Sequence, residues 1–407
     1  MITIFDRSVQ RVPIKAWLES ADDIESGAMA QALNLSRLPF LVSHVALMPD
    51  VHEGYGMPIG GVIAAKGAVI PNAVGVDIGC GLIGSVLDAP AKLLREVKTG
   101  SGTLAQALTG DIMRAIPLGF EHRKRPIDPE MSPTADMCEI KSLCKEWESA
   151  PYQCGTLGGG NHFIELQEDG STGELVIMVH SGSRNFGYKV ANTFNNLAKK
   201  LNEQMKSEVP ASWQLAYLPT EHELGRMYLK WMDLALRFAA KNRSVMMQIA
   251  TEIVQERLSK HASVTANVRQ VVQCHHNYAS IERHYGEEVV VHRKGAIRAK
   301  KGEKGIIPGA MGGKSYFVEG LGNPESFESA SHGAGRVMSR NEAKRRFTVD
   351  QMMRDLSARD VVLGTPKSHA VVDEFIEAYK DIDEVLAYER DLVKPIRTVR
   401  PIAVIKG

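Results

Sequence analysis

The 407-residue chain has no apolar run long enough to span a bilayer. Its start, "MITIFDRSVQRVPIKAW", lacks the charged-then-apolar pattern of a secretory signal, so the expectation is a cytoplasmic protein. It has no surplus of either charge: 49 Lys and Arg stand against 48 Asp and Glu, a net +1. A bulk polycation is therefore excluded, and any nucleic-acid partner has to be held by local basic patches. Cysteine is scarce, odd in number and irregularly placed, at Cys80, Cys138, Cys144, Cys154 and Cys274, with no CxxC pair. That argues against a disulfide framework and against a self-contained zinc knuckle. Repeats and low-complexity linkers are missing. So are GxxxxGK[ST] and GxGxxG in a strand–helix setting, which removes the common nucleotide-binding loops.

What the chain does have is ordinary globular composition, with 44% hydrophobic and 24% charged residues. Short β-branched runs bounded by Pro, Gly and Asp predict strands at 39–50 and 60–71, and again at 161–167, 174–180, 268–274 and 287–295. Residues 101–116 read as an amphipathic helix, and 121–134 as a polar, proline-rich loop containing "HRKRP". Apolar residues three and four apart predict helix over roughly 187–262, with its methionines as core packing. Two further helices are expected at 340–357 and 370–388, then a closing strand "RPIAVIKG". Strands on both sides of the helical stretch suggest one α+β domain over 1–407 with a mainly helical insertion at about 187–262.

Glycine-flanked polar clusters recur where predicted strands stop. They are "MPDVHEGYG" (48–56), "GVDIGCG" (75–81), "GGGNHFIE" (158–165), "HSGSR" (180–184), "CHHN" (274–277), "IPGAMGGKS" (307–315) and "SHGAGR" (331–336). Loops at strand ends on a rigid sheet are where function concentrates. Cys80 alone could be a disulfide half, a nucleophile, a metal ligand or a buried small hydrophobe. Grouped with Asp77, His162, His180 and one of His275 or His276, it becomes part of a carboxylate, thiolate and imidazole set. Such a set exceeds one closed zinc site and suits two ions sharing a ligand.

Strand parity adds an expectation, if these segments are extended. Only one histidine of "CHHN" can face a given site, and Asn161 and Glu165 should face away from His162. In "SHGAGR", His332 precedes glycines that let backbone N–H groups approach a phosphate, with Arg336 and Arg340 following. That histidine could be a nucleophile, a general base or a hydrogen-bond donor.

Taken in order, "MPDVHEGYGMPIGGV", "GVDIGCG", "GGGNHFIE", "HSGSR", "CHHNY", "RKGA", "SHGAGRVMSR" and the terminal "VIKG" closely resemble the RtcB family of RNA-splicing ligases, nearly end to end. The resemblance implies an α+β fold of mixed sheets with the active site at strand ends. It also implies joining of an RNA 3′-phosphate, or a 2′,3′-cyclic phosphate once opened, to a 5′-hydroxyl. His332 matches the histidine that is guanylylated by GTP. Cys80 matches the ligand bridging two manganese ions, with Asp77 and His162 on one side and His180 and His276 on the other. Asn161, Glu165, Asn277, Ser315, Gly335, Arg336, Tyr379 and Lys406 match guanylate contacts. Arg184 and Arg340 match groups that hold the RNA phosphate, and Asp50 matches an acidic residue beside the site. A monomer, and an archease-like activator beside the RNA, belong to the same expectation.

Two features depart from it. Thiolate and imidazole ligands favour zinc over manganese by intrinsic affinity, so zinc is an expected inhibitor. Ala310 stands where the family commonly carries serine in a nucleotide-contacting loop. The rival readings are a binuclear metallophosphatase, for which the metal ligands suffice, and a non-catalytic protein that binds RNA ends. The basic runs at 122–126 and 292–305 fit either phosphate tracking or plain solvated loops.

Overall fold

The structure is a computed structural model that describes residues 1–100 and 102–407; Ser101, the first position of the helix expected at 101–116, lies outside the described residues. Two large sheets organise the chain. The six-stranded sheet runs in the order Ile2–Ile4, Ile14–Ala16, Leu41–Tyr55, Met57–Ala65, Glu287–Lys294, Asn277–His284. The eight-stranded sheet runs Val268–His275, Gly81–Pro90, Glu174–Ser181, Phe163–Asp169, Val393–Ile405, Ser315–Gly320, Lys304–Ile307, with Val362–Gly364 added parallel to Val393–Ile405. Most pairs are antiparallel, and with the helices this gives a mixed α+β architecture.

The strands form where β-branched residues alternate or run unbroken, and the central ones bury both faces. Val45 to Met48, Val62 to Ala65 and Val176 to Val179 are all buried. Glu223–Ala262 is one 40-residue helix, capped by the His222 side chain accepting from the Leu224 N–H and ended by Ser263 in the left-handed region. Its apolar stripe buries Tyr228, Trp231, Phe238, Met246 and Val254 against the helix Arg184–Gln204 and the eight-stranded sheet. Between these two helices the chain is not helical: it makes a short 3-10 turn at Ala211–Trp213 and pairs Leu218–Pro219 with Ala68–Val69.

Several expectations change in detail. The cluster 48–56 does not lie beyond a strand end. The strand Leu41–Tyr55 runs through it, shifting register between Leu47 and His52, so Asp50 sits in a bulged segment. The helix expected at 340–357 is two helices, Arg340–Arg346 and Val349–Ala358, the second opened by a Thr348–Gln351 capping box. The helix expected at 370–388 is mostly 3-10 turn until Ile382–Tyr388, because Tyr379 leaves the helical path to bridge Arg336. One disulfide is present: the turn Met137–Glu139 and the helix Lys141–Trp147 bring Cys138 and Cys144 to a Cα separation of 5.4 Å. The spacing of six residues is local, and nothing in the count of five cysteines pointed to it.

The remaining clusters do gather at strand ends. Cys80 directly precedes Gly81–Pro90, and His162 precedes Phe163–Asp169. His180 is the penultimate residue of Glu174–Ser181, and His276 separates Val268–His275 from Asn277–His284. His332 follows Ser329–Ser331, and Lys406 follows Val393–Ile405.

Candidate active site and metal centre

The Cys80 Sγ lies 3.4 Å from Nε2 of His162 and 3.3 Å from Nε2 of His180. On one side, His162 Nε2 is 3.1 Å from Asp77 Oδ2; on the other, the Nε2 atoms of His180 and His276 are 3.1 Å apart. Two triads result, Asp77–Cys80–His162 and Cys80–His180–His276, with the donor atoms of each within 4.8 Å of one another. Cys80 belongs to both. His275 turns the other way, with its Nδ1 against the Gly79 carbonyl and Arg243. Only His276 of the pair joins the triads, but it lies between two strands, so the separation does not rest on a continuous pleat.

Proton positions decide what this arrangement fits. His162 Nδ1 is 3.0 Å from the Leu157 carbonyl and His180 Nδ1 is 3.1 Å from the Asn161 carbonyl. A carbonyl only accepts, so the His180 ring carries its proton on Nδ1 and turns an Nε2 lone pair inward, whereas His162 faces an acceptor at each nitrogen, the Leu157 carbonyl and the Asp77 carboxylate. Burial, and then the neighbouring histidines, hold His180 and His276 well below the usual histidine range, so extra protons do not fill the gap. Burial and the Asp77 charge push the Cys80 thiol well up, and a bound cation would deprotonate it. A carboxylate, a thiol and three imidazoles converging this closely form a group that can hold metal.

The long helix holds these loops together. Asn242 and Arg243 are fully buried on its inner face. Asn242 Oδ1 accepts from the N–H groups of Gly155 and Thr156, and its Nδ2 donates to the carbonyls of Thr156 and Gly182. Arg243 Nη1 donates to the carbonyls of Gly79 and Ser181, at 2.8 and 2.9 Å. One turn of helix thus ties the segments that carry Cys80, His162 and His180. Sequence reading took this stretch as packing; its one signal was a polar pair, Asn242–Arg243, interrupting an apolar stripe.

Beside the triads, the His332 ring lies 4.7 Å from the His276 ring, tilted by 51°. Its Nδ1 donates to Asp50 Oδ2 at 2.6 Å and its backbone N–H reaches the same oxygen at 3.1 Å. Nε2 is left as the free ring nitrogen, in a cleft lined by His332, Glu165, Arg336, Tyr379 and Lys406 among others. Gly335 also lines this cleft, at φ +73°, and a Cβ there would meet the Asp50 carbonyl at 2.4 Å. Only glycine lets the "HGAG" loop lie so close to Asp50.

A family model described as tRNA-splicing ligase RtcB matches residues 31–147 and 132–407. The chain belongs to the RtcB family. It is 39% identical over 413 residues to the RNA-splicing ligase RtcB of Escherichia coli (strain K12), covering 98% of each chain. It is 32% identical to the tRNA-splicing ligase RtcB of Nanoarchaeum equitans, over 94% of this chain and 92% of the relative. To the RNA-splicing ligase RtcB of Mycobacterium tuberculosis it is 31% identical, over 93% of this chain and the relative's whole length.

The other family-matched residues divide into two groups. Asn161, Glu165, Arg336, Arg340, Tyr379 and Lys406 line the cleft. Ser315, Asn277 and Arg184 do not. Ser315 Oγ accepts from the Gly309 N–H, and Asn277 bridges the Asp77 carbonyl and the Gly295 N–H. Arg184 donates to Thr156 Oγ1 and the Gly119 carbonyl, close behind Asp77. His162 lies just before the strand begins, so the expected opposition between it and Glu165 does not rest on a continuous pleat. Among the described residues, no helix is long and apolar enough to cross a membrane.

Glu374 was not anticipated. Its carboxylate accepts from Lys406 Nζ at 2.7 Å, Arg340 at 2.7 Å and the Tyr379 hydroxyl at 2.9 Å. Burial alone would raise its pKa, but Lys406, Arg340 and Arg336 outweigh that and hold it at about 2. Glu165, across the cleft, is buried with only the Gln167 amide and a more distant Lys406 to offset the loss of water, and its pKa rises to about 7. The sequence signal for Glu374 was hidden in a segment read as an ordinary helix.

Proposed function

We propose that this chain is a GTP-dependent RNA ligase that works through His332. Membership of the RtcB family supports RNA joining as the activity, and relatives named as RNA-splicing and tRNA-splicing ligases point to RNA repair or tRNA splicing. The observation that carries the mechanism is the free Nε2 of His332, its ring fixed by Asp50 and set against the cation triads.

In this reading His332 Nε2 attacks the α-phosphorus of GTP. A P–N bond forms and the bond to the β-phosphate oxygen breaks, releasing pyrophosphate. An RNA 3′-phosphate oxygen then attacks that phosphorus and frees His332, leaving the 3′ end joined to GMP through a diphosphate. A 5′-hydroxyl attacks the 3′-phosphorus, losing its proton as GMP departs. Asp77, Cys80 and His162 would hold one manganese ion and Cys80, His180 and His276 the other. Such cations, when bound, neutralise phosphate charge in an in-line displacement.

The protein's own groups have separable tasks. Asp50 orients His332 and keeps the proton on Nδ1. Glu165, ionised, accepts from the guanine edge, and a site built that way discriminates against adenine. Arg336, Arg340 and Lys406 supply positive charge along the cleft. Arg184 lies close enough to Asp77 to take part in holding the RNA phosphate. Where the family commonly has serine, Ala310 removes one hydroxyl hydrogen bond, worth roughly 0.5–1.5 kcal/mol. The ligase reading treats residues 1–407 as one catalytic unit, monomeric and cytoplasmic, with an archease-like activator as its candidate partner.

The test is incubation with α-labelled GTP and manganese, which should give an acid-labile protein–GMP adduct absent in His332→Ala. No adduct from the unmodified chain, or an undiminished one in the variant, rejects the reading. A binuclear phosphatase would leave the His332–Asp50 pair and Glu165 without work.

A further inference from the structure

The loop after the helix Leu104–Ala115 contains three large apolar residues with opposite fates. Ile116 and Leu118 are buried in the core beside Leu157 and Ile164. Phe120 is 101% exposed; the next most exposed large apolar side chain among the described residues, Ile281, is 58% exposed. The loop that presents Phe120 is pinned rather than loose. Arg123 donates to the carbonyls of Cys154 and Gly155, and the Gly119 N–H donates to the Gly158 carbonyl at 2.9 Å. A rigid backbone holding a phenyl ring wholly in water calls for an occupant.

Its location narrows the choice. The Gly119 carbonyl accepts from Arg184 Nη2 at 3.0 Å. Gly119 also packs on Gly407, next to Lys406, and on Gly159; a Cβ on Gly159 would lie 3.8 Å from its Cα. On the other side of the same glycine loop, a Cβ on Gly160 would lie 3.7 Å from Arg340. The residue before the exposed ring therefore touches Arg184 and packs on the end of the chain, next to Lys406 of the cleft lining. Beyond it His122, Lys124 and Arg125 are exposed, with Glu121 the one acid in the tip. Neither Lys124 nor Arg125 forms an ion pair among the described residues, and Arg123 is occupied in holding the loop.

Resting on the RNA-ligase reading, we infer that Phe120 is a stacking platform for a base of the single-stranded RNA end, with Lys124 and Arg125 tracking its backbone. An aromatic ring beside free cations is how proteins hold single strands without reading sequence, since every base offers a π-face. The platform serves RNA docking and takes no part in the transfer of GMP to His332.

The experiment measures binding of a short single-stranded RNA with a 3′-phosphate to the full chain and to Phe120→Ala and Phe120→Trp. In parallel, the His332–GMP adduct is measured for each. Phe120→Ala should weaken RNA binding roughly 5- to 150-fold. Phe120→Trp should restore it, and the adduct should form equally in all three. Replacing successive terminal nucleotides by abasic ones should reveal one position at which Phe120→Ala no longer matters. Unchanged RNA affinity in Phe120→Ala overturns the inference, including the case in which the ring serves a protein partner instead. A parallel loss of adduct also overturns it, since Phe120 would then be structural. Failure of the unmodified chain to form the adduct rejects the ligase reading and leaves the RNA-binding comparison intact.

Discussion

Asp50 Oδ2 holds His332 twice, at the ring Nδ1 and at the backbone nitrogen, at 2.6 and 3.1 Å. One oxygen thereby fixes both the tautomer of the ring and the direction in which it enters the cleft. Asp50→Asn keeps the size but cannot accept in the same way, and should slow adduct formation by about 10²-fold. Circular dichroism should show the fold retained, and single-turnover labelling with GTP gives the rate. An unchanged rate would mean that the ring is held by packing alone.

Cys80 contributes to both triads, so its loss differs from that of any other ligand. Calorimetric titration of the metal-free chain with manganese should register two ions. His162→Ala and His276→Ala should each remove one, whereas Cys80→Ala should weaken both. Cys80→Ser should keep a weakened pair. Zinc should compete at lower concentration, because the thiolate and imidazoles favour it intrinsically.

The Arg243 guanidinium donates to two backbone carbonyls from a fully buried position. Replacing it by Met takes this donor from both, leaving the Gly79 carbonyl to His275 Nδ1, at a cost of roughly 1–3 kcal/mol. Arg243→Met should therefore unfold at lower denaturant concentration and bind manganese more weakly, although it touches no proposed ligand atom. Retained stability with retained metal affinity would show the clamp to be redundant.

Two buried carboxyls set a pH dependence. Burial, assisted by the Asp50 charge, raises Glu389 to about 8, and burial raises Glu165 to about 7, against an ordinary 4.5. Each folded-state pKa lies above its unfolded value, so the folded chain holds more protons between them. Their stabilising effect is complete below about 4.5 and is lost as pH rises towards 7 and 8. Buried histidines held low, His44, His52, His180, His275, His276 and His292, act in the opposite sense below about 6.5. The carboxyl contribution is therefore read as a difference: the melting temperature of Glu389→Gln relative to the unmodified metal-free chain should rise between pH 5 and 8. Glu374 acts in the opposite sense: its pKa of about 2 gives stability that is present above 4.5 and lost as pH falls through 2.

Breaking the Lys406–Glu374 pair tests the cleft. Glu374→Gln leaves a buried ammonium without its carboxylate and should cost roughly 3–5 kcal/mol. The double change Glu374→Gln with Lys406→Met should recover part of that stability while still failing to form the adduct. If the single change is neutral in a melting experiment, water reaches Lys406 more freely than its burial implies.

Legibility in the sequence followed the range of the interactions. Strand cores such as 174–180 and 287–295 were readable because local β-branched runs and flanking glycines decide them. The triads were readable as a group because Cys80, His162, His180 and His276 each sit at a strand end, the first three beside glycines. Glu374 and the Asn242–Arg243 clamp were not, because each acts through partners tens to hundreds of positions away. Asp50 was found, but its place inside a bulged strand was not, since a bulge depends on the partner strand's register.

The two cation triads draw their donors from segments as far apart in the chain as Asp77 and His276. An ion bound there acts as a clip across long loops, one that the unfolded chain cannot form. Its binding energy adds directly to the free energy of unfolding, by an amount set by the free ion concentration. The melting temperature should therefore climb with manganese and drop with a chelator, making resistance to heat a gauge of metal supply before any RNA is joined.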